Sequence, residues 1–232
     1  MQTAPAKTPD SGGLENLGRA TLQIVHDLKN QLNGLKLYAT FLRKRLERED
    51  QPPDERETLA KLIAGLDRAA KDLTALMRYA RPLDLRPQSN VDLQRIISSV
   101  IADAAERETG GLPKVKITAH IEGDSFTGEF DSAALTEAIK AITDDVRATV
   151  SAKTPQPLSI GLSRVHETGE AALEWRGANF SHRSGALTTN NTCGTIHVEL
   201  ARKIIEAHGG TVTCEQDMIR VLLPLTNEKI KD

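Results

Sequence analysis

Two apolar stripes of helical period, one on each side of Pro52-Pro53, constrain this chain more than any other feature of it. Between Leu14 and Asp50, apolar or small residues recur at alternating steps of three and four: Leu17, Thr21, Ile24, Leu28, Gln31, Leu35, Tyr38 and Leu42, with Val25, Leu32, Phe41 and Leu46 widening the band. That spacing keeps one face of a 3.6-residue helix apolar along its length, so the segment reads as one long amphipathic helix. The two prolines end it, and Asp54 with Glu57 offers a capping-box-like start for a second helix. Its stripe runs through Leu59, Leu62, Ile63, Leu66, Ala69, Ala70, Leu73, Leu76, Met77 and Ala80 until Pro82 intervenes. Two such helices joined by a short turn make an antiparallel hairpin. A lone hairpin cannot bury both stripes, and pairing with a second copy into a four-helix bundle is the simplest remedy.

Past RPLDLRPQSN the texture changes to alternating helical and strand-like pieces, which marks a domain boundary. A helix is expected from Asp92 to about Glu108, strands near Val115–Ile121 and Phe126–Phe130, and a helix from about Ser132 to Thr149. Strands near Leu158–Val165 and Ala171–Trp175, a Gly/Ser/Thr/Asn-rich loop, a helix from about Ile196 to His208, and strands at Thr211–Glu215 and Ile219–Pro224 complete the pattern. The organisation is thus a disordered tail over 1–13, a hairpin over 14–84, a linker over 85–91, a second domain over 92–226 and a short tail over 227–232. The fold class is α+β in two domains, the second an α/β sandwich with helices on one face of a sheet.

Composition removes several function classes. The balance of 30 Lys and Arg against 32 Asp and Glu lacks the basic excess that nucleic-acid binding needs. No stretch approaches the roughly 20 apolar residues of a membrane span, and the first residues have no signal-peptide core, so a cytoplasmic protein is expected. Cys193 and Cys214 form no CxxC pair and read as reduced thiols. His120, His166, His182 and His197 show no metal-ligand spacing, His208 precedes Gly209-Gly210 at a helix end and reads as a cap, and Trp175 reads as a core strand residue.

His26 is different. It lies about 200° around the first helix from both Ile24 and Leu28, so it projects away from the stripe into solvent. A neutral imidazole is a competent nucleophile near pH 7, and the adjacent Asp27 can orient it or take a proton. Asn30, one turn on, shares its face and can hydrogen-bond a phosphoryl oxygen or an attacking water, and Lys29 can steady an anion. Taken alone, a polar His-Asp-Lys-Asn face is also what a merely solvated helix surface looks like.

The segment HDLKNQLNGLKLYATFL resembles the phosphoacceptor box of sensor histidine kinases, in which a His followed by an acidic residue opens a dimeric helical hairpin. YARPLDLRPQSNVDL resembles that family's link into its catalytic domain, and ARKIIEAHGGTV is similar to the last helix and following strand of its ATP-binding domain, the GHKL or Bergerat fold. The likeness runs from about residue 14 to 225 in the family's order. It implies that His26 is phosphorylated, that Asp27 is its acid/base neighbour and that Asn30 assists dephosphorylation. Gln31 stands where the family often has Pro.

The second domain departs from the family. Asp145 occupies the position of a Mg²⁺-binding Asn; its oxygens could still ligate magnesium, but it would add negative charge beside a triphosphate. Gly177, Asn179 and Ser181 replace the adenine-reading Asp-x-Gly-x-Gly, and Cys193, Thr195 and His197 replace a Gly-x-Gly-x-Gly, leaving Gly194 one place out of step. Side chains where glycines admit close phosphate approach would crowd a nucleotide. The reading is a histidine phosphotransferase of bacterial two-component type that binds no ATP or metal of its own. It works as a homodimer, passing a phosphoryl group through His26 between response-regulator receiver domains that supply Mg²⁺. Arg19, Gln23 and Lys29 are the expected receiver contacts. Two other readings are a non-catalytic scaffold and an ATP-dependent kinase with an atypical nucleotide site.

Overall fold

The computed structural model describes residues 11–46, 53–106, 117–123, 125–149, 158–165, 167–177, 195–215 and 218–226. The chain divides into two compact units, Met1–Arg81 and Pro82–Asp232.

The first unit contains α1 (Ser11–Leu46) and α2 (Pro53–Ala80), packed against each other. They run antiparallel: the Lys36 ammonium pairs with Asp67 at 2.5 Å, while Leu42, further along α1, lines one groove with Leu59 and Leu62, nearer the start of α2. Pro53 opens α2, where its missing N–H costs nothing, so Asp54 falls inside the first turn. Glu57 pairs with Lys61 one turn on, and that cation holds its carboxyl below the usual range.

The row of α1 that packs on α2 is offset by one residue from the stripe expected to be its core. Leu22, Val25, Lys29, Leu32, Lys36 and Ala39 are buried or half-buried, whereas Ile24, Leu28, Leu35, Tyr38 and Leu42 stay exposed. Val25 is 7% exposed beside Ile24 at 61%. The buried row includes two lysines, whose alkyl stems can cover apolar surface while their ammonium groups reach water.

The second unit begins with β1 (Gln88–Asp92), α3 (Leu93–Glu106), β2 (Ile117–Glu122), β3 (Thr127–Phe130) and α4 (Ser132–Thr149). It continues with β4 (Leu158–Arg164), β5 (Ala171–Arg176), α5 (Ile196–Ala207), β6 (Thr211–Cys214) and β7 (Met218–Leu223). Five strands form a mixed sheet in the order β2-β4-β5-β7-β6, in which β2 and β4 are parallel and the other pairs antiparallel. β1 lies in residues expected to be linker and pairs with β3 in a separate two-stranded sheet.

One face of the large sheet carries Leu158, Ile160, Leu162, Leu173, Trp175, Ile219 and Val221, all at most 1% exposed. Apolar faces of the helices are buried with them, including Ile97 of α3, Ile142 of α4 and Ile205 of α5. Trp175 donates from Nε1 to Thr143 Oγ1 at 3.0 Å, and Thr143 donates to the Ile139 carbonyl, so the polar atoms of this buried pair are satisfied. On the opposite face, Glu174 and its cross-strand partner Arg220 are joined by Arg176. Partial burial pushes the Glu174 carboxyl up, but the hydrogen bonds from Arg176 and Arg220 win and hold it below the usual range.

α5 ends in a Schellman turn: Gly210 N–H donates to Ile205 O and Gly209 N–H to Glu206 O, with Gly209 at φ +77°. Cys214 is disulfide-bonded, which corrects the expectation of a reduced thiol, because separation in sequence sets no limit on proximity in the fold. The other cysteine, Cys193, lies outside the described residues.

Candidate functional site

His26 is carried on α1, a continuous helix with no proline between Ser11 and Leu46, so the spacing of its neighbours is fixed by the helical repeat. Its side chain is 51% exposed. Nδ1 lies 3.4 Å from Asp27 Oδ1 and 3.3 Å from Asn30 Nδ2. Nε2 makes no hydrogen bond among the described residues, so the ring presents that nitrogen to solvent.

The two neighbours of Nδ1 ask for opposite protonation states. Asp27 is an acceptor, so a bond to it needs a proton on Nδ1 and leaves the Nε2 lone pair free. The Asn30 amide nitrogen only donates, so a bond from it needs a bare Nδ1 and puts the ring proton on Nε2. Rotating the Asn30 amide would offer its oxygen instead, which accepts from a protonated Nδ1. A nucleophilic Nε2 therefore goes with the Asp27-bonded tautomer.

Gln23, one turn before Asp27, donates from Nε2 to Asp27 Oδ1 at 3.1 Å. That oxygen also faces the imidazole. Gln23, one of the expected receiver contacts, is exposed and makes this bond within the helix, a pairing that the four-residue spacing could have revealed. Lys29 is half-buried in the row with Val25 and Leu32. Arg19 falls on α1, and its side chain lies outside the described residues.

In the second unit, Asp145 near the end of α4 accepts the Thr195 hydroxyl at 3.0 Å. Thr195 is the N-cap of α5 in an extended conformation, yet its side chain makes no capping bond to the helix. Its carbonyl begins the helix by accepting from Val198 and Glu199. Glu199 sits in the first turn, where it complements the helix dipole, and its carboxylate lies 3.6 Å from Arg202 Nε. Asp145 is thus engaged by the hydroxyl of the α5 N-cap, and the Glu199 carboxylate, 12% exposed, by Arg202. Gly177 ends β5 at φ +101°, whereas Asn179, Ser181, Cys193 and Gly194 lie outside the described residues.

Among the described residues no group of three His, Cys, Asp or Glu side chains could hold a metal ion, and no helix is long and apolar enough to cross a membrane. His208 is the C-cap of α5, donating from Nδ1 to Ile204 O at 2.8 Å.

No family model and no curated protein matches the chain. Solved structures do. The Acinetobacter baumannii histidine kinase AdeS superposes with a TM-score of 0.56 at 15% identity, over 83% of this chain and 96% of that one. Full-length ShkA, solved in complex with AMPPNP, superposes with a TM-score of 0.60 at 16% identity, over 90% of this chain and 46% of that one. The chain therefore spans about half the length of ShkA and nearly all of the AdeS chain. Its fold is that of the histidine kinases.

Proposed function

We propose that this protein is a two-component signalling protein that transfers phosphoryl groups through His26 between the aspartates of response-regulator receiver domains, without binding ATP. The observation that carries this reading is the exposed His26 with Asp27 and Asn30 at its Nδ1 and nothing described at its Nε2. In the forward step the Nε2 lone pair attacks phosphorus and the acyl phosphate P–O bond breaks, the receiver carboxylate leaving with the electron pair. Asp27 stabilises the Nδ1 proton as positive charge develops on the ring. The receiver brings the Mg²⁺ that neutralises the phosphoryl oxygens. Transfer onward is the reverse of the same step at a second receiver.

The protein acts as a homodimer. Ile24, Leu28, Leu35, Tyr38 and Leu42 form an exposed apolar row on α1, which a second copy covers by closing a four-helix bundle. The engagement of Asp145 by the Thr195 hydroxyl, where the family has a Mg²⁺-binding Asn, supports a domain that does not use nucleotide.

An ATP-dependent histidine kinase is the second reading, favoured by the neighbours, one of which was solved with AMPPNP. Incubating the protein with ATP and Mg²⁺, and separately with a phosphorylated receiver, decides between them when acid-labile phosphate is followed on wild type and His26→Ala. Label gained only from the receiver, and absent in the variant, is the expected result. Label gained from ATP alone overturns the proposal in favour of the kinase.

A further inference from the structure

The contacts along one face of α1 form a relay of four side chains: Asn30 to His26, His26 to Asp27, and Asp27 to Gln23. The Gln23 bond, at 3.1 Å, is the shortest of the three, and it ends on the same Asp27 oxygen that faces the imidazole. An aspartate on an exposed helix can turn its carboxylate among several rotamers, most of which leave the preceding residue. A donor one turn earlier, anchored by the helix itself, restricts that freedom.

We propose that Gln23 is a positioning residue for phosphotransfer: it holds the Asp27 carboxylate against Nδ1 and so selects the His26 tautomer whose Nε2 carries the free lone pair. This inference rests on the reading of His26 as the phosphoryl acceptor. Gln23 touches neither the phosphoryl group nor the imidazole. It works against Asn30, whose amide nitrogen favours the opposite tautomer from the other side of Nδ1. Asp27 bound by Gln23 counters that pull. The chemistry is unchanged in its balance: the Nε2–P bond forms, the receiver's P–O bond breaks with its electron pair on the receiver carboxylate, and the ring proton stays on Nδ1 facing Asp27.

The test is nitrogen NMR of the imidazole in the intact, unphosphorylated protein, comparing wild type with Gln23→Ala and Gln23→Glu. In wild type the neutral ring is expected mainly as the Nδ1–H form. Gln23→Ala moves the balance toward Nε2–H, and Gln23→Glu moves it further because like charge repels Asp27. In transfer assays from a phosphorylated receiver, Gln23→Ala is expected to lower the maximal rate about fivefold, the scale of one exposed charge-assisted contact, with the receiver concentration at half-maximal rate unchanged. Identical tautomer populations in wild type and both variants overturn the inference. So does a change confined to the half-maximal receiver concentration, which would make Gln23 a docking contact. A wild type that takes no phosphate from receivers refutes the phosphotransfer reading instead, and the tautomer measurement still reports on Gln23.

Discussion

The imidazole of His208 accepts the backbone N–H of Asp131 at 3.0 Å, joining the end of α5 to the residue just before α4. With Nδ1 donating to Ile204, the ring is the neutral Nδ1–H tautomer and both nitrogens are used in a buried setting. Replacing His208 with Ala removes two hydrogen bonds and leaves the Asp131 N–H without its partner. A loss of about 2–3 kcal/mol is expected. Urea unfolding of the two proteins measures it, and a loss within error of zero contradicts this account.

Asp131 also caps α4, its Oδ1 accepting from Ala134 N–H at 3.0 Å and its Oδ2 from Arg86 N–H at 2.9 Å. These backbone donors, Ala134 first, hold the carboxyl below the usual aspartate range. The folded protein therefore binds the proton more weakly than the unfolded chain does. The stabilisation is complete above the unfolded value near about pH 4 and disappears as pH falls through the depressed folded value. Asp131→Asn should thus be less stable than wild type at neutral pH, with the gap closing in acid. Thermal midpoints across that range check it; a gap independent of pH would assign the effect to shape rather than charge.

Neighbouring glycines in the turn after α5 should differ sharply. At Gly210 a Cβ would collide with the Leu222 carbonyl oxygen and lie 2.9 Å from Ile205 Cγ2 and Leu223 Cδ2. At Gly209 it would meet only Pro224 Cγ at 3.6 Å, leaving the cost of φ +77°. Gly209→Ala should cost about 1 kcal/mol. Gly210→Ala should cost about 2–3 kcal/mol, because the strand as well as the turn must shift. Melting temperatures that rank the two in the other order would refute the packing argument.

Leu35, 54% exposed in the middle of the apolar row on α1, is the place to break a dimer. Leu35→Glu puts a charge at the centre of the proposed bundle seam, where burial without a partner is costly. Sedimentation should show wild type as a dimer and the variant shifted to monomer, with α1 still helical by circular dichroism. A wild-type monomer at all accessible concentrations would remove the four-helix bundle from the proposal.

Much of this was legible in the sequence because helical periods report themselves locally. The two long helices and α4 follow from stripes of leucine and isoleucine; His26 is exposed as expected, but Ile24 and Leu28, from which its angle is taken, are exposed as well. The hairpin's internal seam did not follow, because α1 is apolar on two adjacent rows and the row facing α2 carries Lys29 and Lys36. β1 escaped notice because QSNVD has no apolar alternation; it is a strand through its pairing with β3. Thr195 meets Asp145 across fifty positions of chain, and no local spacing records such a contact.

The last strand of the sheet, β7, lies between β5 and β6 rather than at an edge. During synthesis β5 consequently waits with one side unpaired until Met218–Leu223 has left the ribosome, whereas α1 and α2 need nothing made after Ala80 to meet. The helical half has time to form while the sheet half still lacks an inner strand, and the non-local pairing of that strand makes the second unit the slower to complete. A chain stopped just before β7 would lose the join between two strands, not a border, and would expose the edges of both.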